Sequence, residues 1–524
     1  MIAPAVTPYR SAAPAGHNGF GQLLWAEWIK LRTVRGWITG MIIAGLLTVG
    51  VGLLSHGECG SQASGSLVTG GPGCTSPLGP GGEGVTDAFY FVHQPLAGDG
   101  RITVRVTSLT GSYSPDGVST QDLKRGLQPW SKAGIIIKAS ATEGSAYAAM
   151  MVTGSHGVRM QWNYTGDAAG LDGAVTAASP RWLRLTRTGD TITGYDSADG
   201  TAWTRVGSVT LTGLPSTVPA GLFAASPDHS TMTSQSIGGG SGSGGPSQAT
   251  AAFDQVTLQG GWPTGQWTGT AVGGPSAGPF PVLGYRQAGG RLAVSGSGDI
   301  APVVPDTEGS VAGALIGAFA GLIAIVVVAA MFMTAEYRRG LIRVTLTASP
   351  RRSRILAAKA IVVGSAAFAV ALSAAVASAL IEGPRARSRG IFVDPVPMLT
   401  EVRVVAGTAA LLAVAAVLAV ALGALVRRSA VAVTAVIAVI VLPYFFAVPL
   451  AVLPAGAADW LLRVTPAAGF AIQQPYPAYP QVATSYIPGN GYYPLAPWAG
   501  FAVLCAWTAM AMGLAMYLLR RRDA

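Results

Sequence analysis

Two patterns of apolar positions divide this chain. Uninterrupted apolar runs, each about long enough to cross a bilayer as a helix, occur at 37–54, 311–333, 361–381, 404–426, 430–453 and 498–519. Between the first and second runs, apolar and polar residues alternate with the period of strands that bury one face. The chain is therefore predicted to have a mixed fold: a six-helix α-helical membrane domain with an all-β sandwich inserted between the first and second transmembrane helices.

The alternating segment predicts an antiparallel sandwich. Ile102, Val104 and Val106 alternate with polar residues over one strand. Many short strands separated by Gly, Asp and Ser turns are typical of such a fold. Further candidate strands are 133–139, 146–152, 158–164, 182–188, 191–195, 204–211, 218–224, 252–258 and 291–295.

Several parts of this segment have specific predictions. Trp162 and Tyr164 share a predicted face with Val158 and Met160, which favours a core position over a role as ligand-facing aromatics. The run 236–247 reads as a flexible loop tip. Residues 260–308 either extend the sandwich or form a Gly/Pro-rich stalk.

The start of the chain predicts a membrane-surface helix. Residues 1–20 are Ala/Pro/Gly-rich and are expected to be disordered. In 21–36, Leu24, Trp28 and Leu31 fall on one helical stripe followed by basic residues, as in a helix that lies at the membrane interface. Continuation of the first span is the alternative. The run 37–54 then acts as an uncleaved signal anchor.

Charge and composition indicate the class of protein and the orientation of the chain in the membrane. The chain has 524 residues, half of them hydrophobic, and a net charge of +10. Its basic residues cluster at the ends of apolar runs, which indicates topology signals and lipid contacts, not nucleic-acid binding. Both termini are therefore predicted to be cytoplasmic and 55–308 extracellular, in a plasma membrane. The Arg and Ala bias is associated with GC-rich bacterial genomes.

The most basic segment, 334–359, joins the second and third apolar runs. It carries six arginines and one lysine against a single acid, so it is predicted to stay cytoplasmic. Ser349 and Pro350 form an N-cap and first-turn pair, which predicts two short helices in this loop. Such a loop is a natural docking element for a cytosolic partner, and the alternative is that its arginines only hold topology.

Two cysteines follow the first span. Cys59 and Cys74 flank a Gly/Ser-rich stretch, and an extracellular location favours a disulfide between them over two free thiols. The loop 459–474, before the last span, is apolar enough either to dip back into the membrane or to rest on its surface.

Catalytic motifs are missing from the sequence. It has no phosphate-binding loop, no metal-ligand spacing among its five histidines and no nucleophile motif. None of the predicted spans contains an ionisable residue between its ends, which disfavours ion-coupled transport. We therefore expect no enzyme activity and no cofactor on this chain. The energy for transport is expected to come from a separate protein chain.

Three segments resemble the permease subunit of type-2 ABC exporters: AEWIKLRTVRGW, TAEYRRGLIRVTLTASPRRSRILAAKA and LLRVTPAAGFAI. The resemblance implies half of a dimeric transporter, homodimeric or heterodimeric, in the lipid bilayer. It also implies a separate cytosolic ATPase that holds ATP and Mg, coupled through the loop 334–359. The residues implied to contact that partner are Glu336, Tyr337, Arg338, Arg339, Arg343, Pro350, Arg351 and Arg352 of the loop, and Glu27, Lys30 and Arg32 before the first span.

The inserted segment resembles a second family. WSKAGIIIKAS, YAAMMVTGSHGVRMQW and YDSADGTAW look like the concanavalin-like, laminin-G-like sandwich, over 85–259. Such an outer domain is unusual for a compact permease. It leaves open two alternatives to export: a membrane-anchored adhesion or sensing protein, and an ABC-like subunit that transmits mechanical work to its outer domain.

Overall fold

The computed structural model describes most of the chain. The described residues are 19–54, 76–115, 123–235, 239–263, 265–273, 283–303, 313, 315–338, 340, 352–388, 393, 395–447, 455–482, 486 and 491–521. The Cys59–Cys74 prediction and the expected disorder of the first residues lie outside these ranges.

Long apolar helices dominate the two ends of the chain. Six of the described helices are long and apolar enough to cross a membrane: α2, α3, α4, α5, α6 and α8. The helices are α1 (Phe20–Thr33), α2 (Arg35–Leu54), α3 (Ala318–Arg338), α4 (Arg352–Ser388), α5 (Met398–Val426), α6 (Ser429–Ala447), α7 (Ala455–Val464) and α8 (Pro497–Arg521).

The predicted surface helix is separate from the first span. Val34 takes an extended conformation and divides α1 from α2. The buried face of α1 carries Glu27 and Leu31, whereas Trp28 is 40% exposed. The stripe of Leu24, Trp28 and Leu31 stays a prediction for the membrane-facing side of α1, whereas the inward face of α1 is set by Leu31 and by the ion pairs of Glu27.

The first and second spans pack through small residues. A Cβ added at Gly317 would lie 1.9 Å from the carbonyl oxygen of Thr48, and one at Gly321 would lie 2.0 Å from the Thr48 hydroxyl. Small residues let membrane helices approach closely where no hydrophobic force drives them together. The spans on either side of the inserted segment are thus held side by side.

The helix that contains the third predicted span extends beyond that span at both ends. Helix α4 has 37 residues and includes two buried ionisable side chains, Lys359 and Glu382. The 23 residues from one to the other correspond to about 35 Å of helix, more than the ~30 Å hydrocarbon core. Lys359 and Glu382 therefore bound the uncharged part of the span from opposite ends.

The segment before the last span turns back into the bundle. Residues Pro466–Gln473 form a 3₁₀ helix in which every residue is buried, and it packs against α5, α6 and α8. The ring of Phe470 stacks on Phe319, with centroids 4.6 Å apart. This part of the loop 459–474 is therefore packed inside the helical bundle.

The inserted segment is built from strands, as predicted. The strands are β1 (Val85–Asp87), β2 (Phe89–Ala97), β3 (Gly100–Tyr113), β4 (Lys124–Arg125), β5 (Lys132–Lys138), β6 (Tyr147–Thr153), β7 (Val158–Trp162), β8 (Gly166–Ala169), β9 (Arg181–Thr188), β10 (Thr191–Ser197), β11 (Thr204–Thr210), β12 (Thr217–Ala225), β13 (His229–Gln235), β14 (Gly239–Gly245), β15 (Ser247–Gly260), β16 (Thr268–Val272), β17 (Gly284–Ala288), β18 (Arg291–Gly296) and β19 (Ile300–Pro302). We call the described residues from 76 to 303 the β domain.

Two antiparallel sheets enclose the main core of the β domain. One has the strand order β11-β10-β9-β3-β15-β18-β17, with β4 paired to β3, and the other has the order β16-β2-β12-β5-β6-β7-β8. Inward side chains such as Ile102 and Val104 of the first sheet and Ile135 and Met150 of the second are fully buried between them. The mixed fold class is therefore confirmed.

A second core lies on the other face of the seven-stranded sheet. It gathers Phe91, Tyr147 and Tyr164 with Val85 of β1 and Ile300 of β19, and β1 pairs with β19 in an antiparallel ladder. The strands that begin and end the β domain thus cover this face. Because β16, β17 and β18 pair within the two sheets and β19 packs on the second core through Ile300, the part of 260–308 described here extends the sandwich and is not a stalk.

Two predictions for this segment were wrong. The glycine-rich run contains a strand, β14, paired with β13, because glycines do not prevent backbone hydrogen bonds. Tyr164 does not share the face of Val158 and Met160, since it packs in the second core while they pack in the first. The reason is a turn: Asn163 and Tyr164 have φ of 43° and 62°, which breaks the alternation.

Candidate functional site

Four charged side chains from three helices meet at one end of the helical bundle. The ammonium of Lys359 on α4 lies 2.6 Å from Oε2 of Glu27 on α1 and 2.6 Å from Oε1 of Glu336 on α3. The ammonium of Lys30 lies 2.8 Å from Oε1 of Glu27 and 3.0 Å from Oε1 of Glu336. We call these four residues the ion cluster, and the end of the bundle where they lie the basic end.

The ion cluster is balanced in charge, and three of its four side chains are buried. Its two carboxylates face two ammonium groups, so the formal charges cancel. The Lys359 side chain is fully buried, and the Glu27 and Glu336 side chains are 3% and 8% exposed. The Lys359 ammonium also lies 4.8 Å from the centroid of the Phe332 ring, a favourable distance for a cation–π contact.

Lys30 closes the cluster on its solvent side, where its side chain is 42% exposed. Partial burial disfavours its charged form, but the hydrogen bond to Glu27 and the attraction of Glu336 outweigh that cost and raise the pKa of Lys30 above its ordinary value. Lys30 therefore carries its charge throughout the physiological pH range, and the cluster holds both of its positive charges.

The residues of the cluster come from where helices begin and end. Glu336 lies in the last turn of α3, and Lys359 lies two turns into α4. These are the two helix ends joined by the basic loop. The ion cluster therefore fixes both ends of that loop relative to each other and to α1.

Further contacts extend the basic end to the last span. Arg352, at the start of α4, donates a hydrogen bond to the carbonyl oxygen of Leu519 in α8. The guanidinium of Arg427, which follows α5, lies 5.2 Å from the centroid of the Tyr337 ring. Helices α1, α3, α4, α5 and α8 are thus connected at this end by charged or polar contacts.

The predicted partner-binding residues differ in how far the structure leaves them open to a partner. Glu27, Lys30 and Glu336 are committed to the ion cluster, Tyr337 and Arg352 are partly buried, and Arg338 and Arg32 are exposed. The predicted contacts that lie outside the described residues are Arg339, Arg343, Pro350 and Arg351. Among the predicted contacts in the described part of the chain, Arg338 and Arg32 are therefore the ones exposed for a partner.

Lys359 is the residue of this site that sequence reasoning missed. It was counted as one more basic residue of the loop, yet a single lysine between Ala357, Ala358 and Ala360 is a signal of its own. A lysine followed by an apolar helix needs a carboxylate partner, because an unpaired charge there is costly. Glu27 and Glu336 were the acids nearest to the predicted membrane surface on that side.

A second set of buried charges holds the two covering strands of the β domain. Lys138 of β5 is fully buried, and its ammonium lies 2.7 Å from Oδ2 of Asp87 in β1. Lys132, from the start of β5, lies 2.6 Å from Oδ1 of Asp299, next to β19. We call these two ion pairs the strand clamp.

In the described part of the chain, no group of three or more His, Cys, Asp or Glu side chains is placed to hold a metal ion.

The two predicted ligand-facing aromatics lie near this clamp without forming an open platform. The Tyr164 hydroxyl donates a hydrogen bond of 2.8 Å to Asp87, and its side chain is 1% exposed. Trp162 packs at the edge of the main core. The same turn contacts the membrane domain, because Gln481 donates hydrogen bonds to the carbonyl oxygens of Tyr164 and Thr165.

Comparison with solved structures finds partial likenesses. A functionally unknown protein from Saccharomyces cerevisiae is 16% identical, with 34% of this chain and 76% of that chain covered and a TM-score of 0.21. A mutant of the GH43 protein BlXynB from Bacillus licheniformis is 15% identical, with 24% of each chain covered and a TM-score of 0.15. Scytalido-glutamic peptidase with a transition state analog inhibitor is 10% identical, with 40% of this chain and 98% of that chain covered and a TM-score of 0.25. These scores are too low to carry an argument.

The family comparison covers most of the chain. No curated protein matches the sequence. The family model described as ABC-2 family transporter protein matches residues 144–524, which include α3 to α8 and with them the Glu336 and Lys359 part of the ion cluster. Together with six helices able to cross a membrane, this match shows that the chain belongs to the ABC-2 family of transporter proteins.

Proposed function

We propose that this chain is the permease subunit of an exporter driven by ATP that a separate cytosolic subunit hydrolyses. The basic end of the bundle faces the cytosol, and the ATPase docks on the loop between α3 and α4 and on α1. The observation that supports this most directly is the ion cluster, because it joins α1 to both helix ends that carry the loop.

The cluster gives the proposed coupling a physical path. A force applied by the ATPase to the loop acts on Glu336 and Lys359. Glu336 lies 3.0 Å from the ammonium of Lys30 on α1, and the ammonium of Lys359 lies 2.6 Å from the carboxylate of Glu27 on α1. Breaking a buried charge pair is costly, so these three helices move together instead of sliding past one another. Movement of this unit relative to the rest of the bundle is a rigid-body switch of the kind used for alternating access.

Co-purification tests the docking part of the proposal. The full chain is co-expressed with a candidate ATPase, chosen as the Walker-motif protein encoded beside it. Arg338→Glu reverses an exposed charge next to the loop and is expected to abolish co-purification while membrane insertion stays intact. Arg385→Glu, an exposed arginine at the other end of α4, is the matched control and should have no effect.

The result that would reject the docking model is equally clear. If Arg338→Glu and Arg338→Glu combined with Arg32→Glu both retain the ATPase as well as the control does, the basic end is not the docking surface. Drug or lipid efflux by the purified chain alone would reject the need for a partner.

A second candidate is favoured by the strand clamp. The β domain is joined to the membrane domain by the strands that β5 holds through buried Lys–Asp pairs, and by Gln481 from the segment before α8. An outer domain fixed in this way suits an assembly that transmits mechanical work to it. Deleting residues 60–300 separates the two functions: an exporter keeps ATPase stimulation and export, whereas a transmitting subunit keeps stimulation but loses its output.

A further inference from the structure

An apolar groove of about 340 Å³ lies beside the ion cluster, between α1, α2 and α4. It is formed by the part of α1 that carries Trp28, Leu31 and Arg32, and it includes both sides of the break at Val34. With one exception its lining residues are apolar. They are Trp28, Leu31, Arg32, Trp37, Ile38, Met41, Ile42, Ala366 and Val370.

The rim of this groove is positively charged. Arg32 lines it and is exposed, and Arg35 follows on the first turn of α2, also exposed. The acid of α1, Glu27, is consumed by Lys30 and Lys359. No ion pair among the described residues engages Arg32, so its charge is available to a ligand.

The groove also lies at the depth where headgroups meet acyl chains. Trp28 and Trp37 line it, and tryptophan is enriched at membrane interfaces. Helix α2 continues from there as a span, so the apolar end of the groove points along the hydrocarbon and Arg32 stands at its polar end. A ligand that fills it needs a long apolar part and an anionic head, one next to the other.

We propose that this groove binds an anionic glycerophospholipid of the leaflet at the basic end. One acyl chain lies against Ile38, Met41 and Val370, and the phosphate of the headgroup pairs with Arg32. Basic residues next to a membrane surface attract anionic lipids. Here the groove beside Arg32 fixes the position of one lipid molecule. The alternative occupant, a second copy of this chain, is an outcome of the test below.

The site gives the lipid a regulatory role. Helix α1 contacts the lipid through Leu31 and Arg32 and contacts α3 and α4 through Glu27 and Lys30. A lipid in the groove fills the space between α1, α2 and α4, and so stabilises the arrangement of α1 and α4 that the ion cluster holds. This role rests on the proposed function, whereas binding of the lipid does not.

Lipid retention tests the site without any ATPase. The full-length protein is purified from mixed nanodiscs of phosphatidylglycerol and phosphatidylcholine, and bound lipid is counted by native mass spectrometry. Removing one charge with Arg32→Gln should lower retention of phosphatidylglycerol about fivefold, the equivalent of the ~1 kcal/mol per basic residue at a membrane surface. Retention of phosphatidylcholine should not change.

Two further variants make the test specific. Ala366→Phe fills the groove and should lower retention of both lipids. Arg428 is an exposed arginine at the basic end but outside the groove, so Arg428→Gln should leave retention of both lipids unchanged. Equal retention of phosphatidylglycerol by Arg32→Gln and the native protein would overturn the proposal. So would efficient disulfide cross-linking of Ile42→Cys between two chains in nanodiscs, because a second copy would then cover the groove.

Failure of this proposal and failure of the proposed function are distinguishable. If lipid retention behaves as expected but Arg338→Glu still binds the ATPase, the docking model fails alone. If docking behaves as expected but no lipid is selected, the groove proposal fails alone.

Discussion

Replacing Lys359 by methionine is the most direct perturbation of the ion cluster. Methionine keeps an apolar, unbranched side chain that is one atom shorter, and it removes the charge and the hydrogen-bond donors. Two carboxylate oxygens, one of Glu27 and one of Glu336, each lose a partner at 2.6 Å. Lys30 remains, but it is partly exposed. It still binds Oε1 of Glu27 and Oε1 of Glu336, whereas Oε2 of Glu27 loses the Lys359 ammonium without a replacement.

The magnitude follows from burial. An exposed ion pair contributes about 0–1 kcal/mol, whereas removing one partner of a buried pair costs about 3–5 kcal/mol, because the remaining charge is left uncompensated. Lys359 is fully buried and has two carboxylate partners, so we expect Lys359→Met to lower the free energy of unfolding by about 3–5 kcal/mol. Glu336→Gln added to Lys359→Met should recover part of this loss, since it removes one uncompensated charge.

The assay is unfolding of the purified full-length protein in detergent micelles, with Arg354→Met as the control. Arg354 is an exposed cation on the same helix, and its replacement should change the free energy of unfolding by no more than about 1 kcal/mol. The reasoning is refuted if Lys359→Met is as stable as Arg354→Met, or if adding Glu336→Gln makes it less stable still. Either result would mean that the cluster is solvated and does not couple the three helices.

Three other predictions address the rest of the molecule. Lys138→Met should destabilise the β domain by about 3–5 kcal/mol, because Asp87 is left as a buried unpaired charge, and limited proteolysis of the full chain should then cut within it. Gly321→Leu should cost about 1–3 kcal/mol by overpacking α3 against α2, measured by unfolding in detergent, with Gly513→Leu at an open site as the control. The hydrogen bond from Arg105 and the attraction of its charge lower the pKa of Asp254, so this pair stabilises above the ordinary aspartate pKa of about 3.9 and loses its contribution as the pH falls through the folded pKa. Arg105→Gln should thus be less stable than the native protein at pH 7 and equally stable in strong acid, and a constant difference across the pH range would contradict this.

Much of the architecture followed from hydrophobic periodicity. The apolar runs predicted six spans because length and continuity suffice to identify a membrane helix. Strand alternation placed Ile102 and Val104 correctly in the core, because a strand with one buried face shows its period locally. Where a turn interrupted that period, at Asn163 and Tyr164, the same rule put a side chain on the wrong face.

The candidate site was predicted only in part, for a different reason. The basic loop and α1 were identified from charge, and Glu27, Lys30 and Glu336 were all selected as functional residues. Their sequence numbers do not show that they meet, since 306 positions separate Lys30 from Glu336. Contacts of this kind form only when the helices pack. From the sequence alone, a carboxylate that binds a lysine of its own chain therefore cannot be distinguished from one that binds a partner protein.

The pairing of β1 with β19 has a consequence for how such a chain arises and how it is engineered. Val85 lies opposite Pro302, so the ends of the β domain meet side by side, and the spans that flank it also touch through Thr48 and Gly321. A domain whose two ends are adjacent can be inserted, exchanged or removed in one step without changing the order or the packing of the helices around it. The β domain is therefore exchangeable. A short hairpin in its place would leave the connections between the membrane helices unchanged.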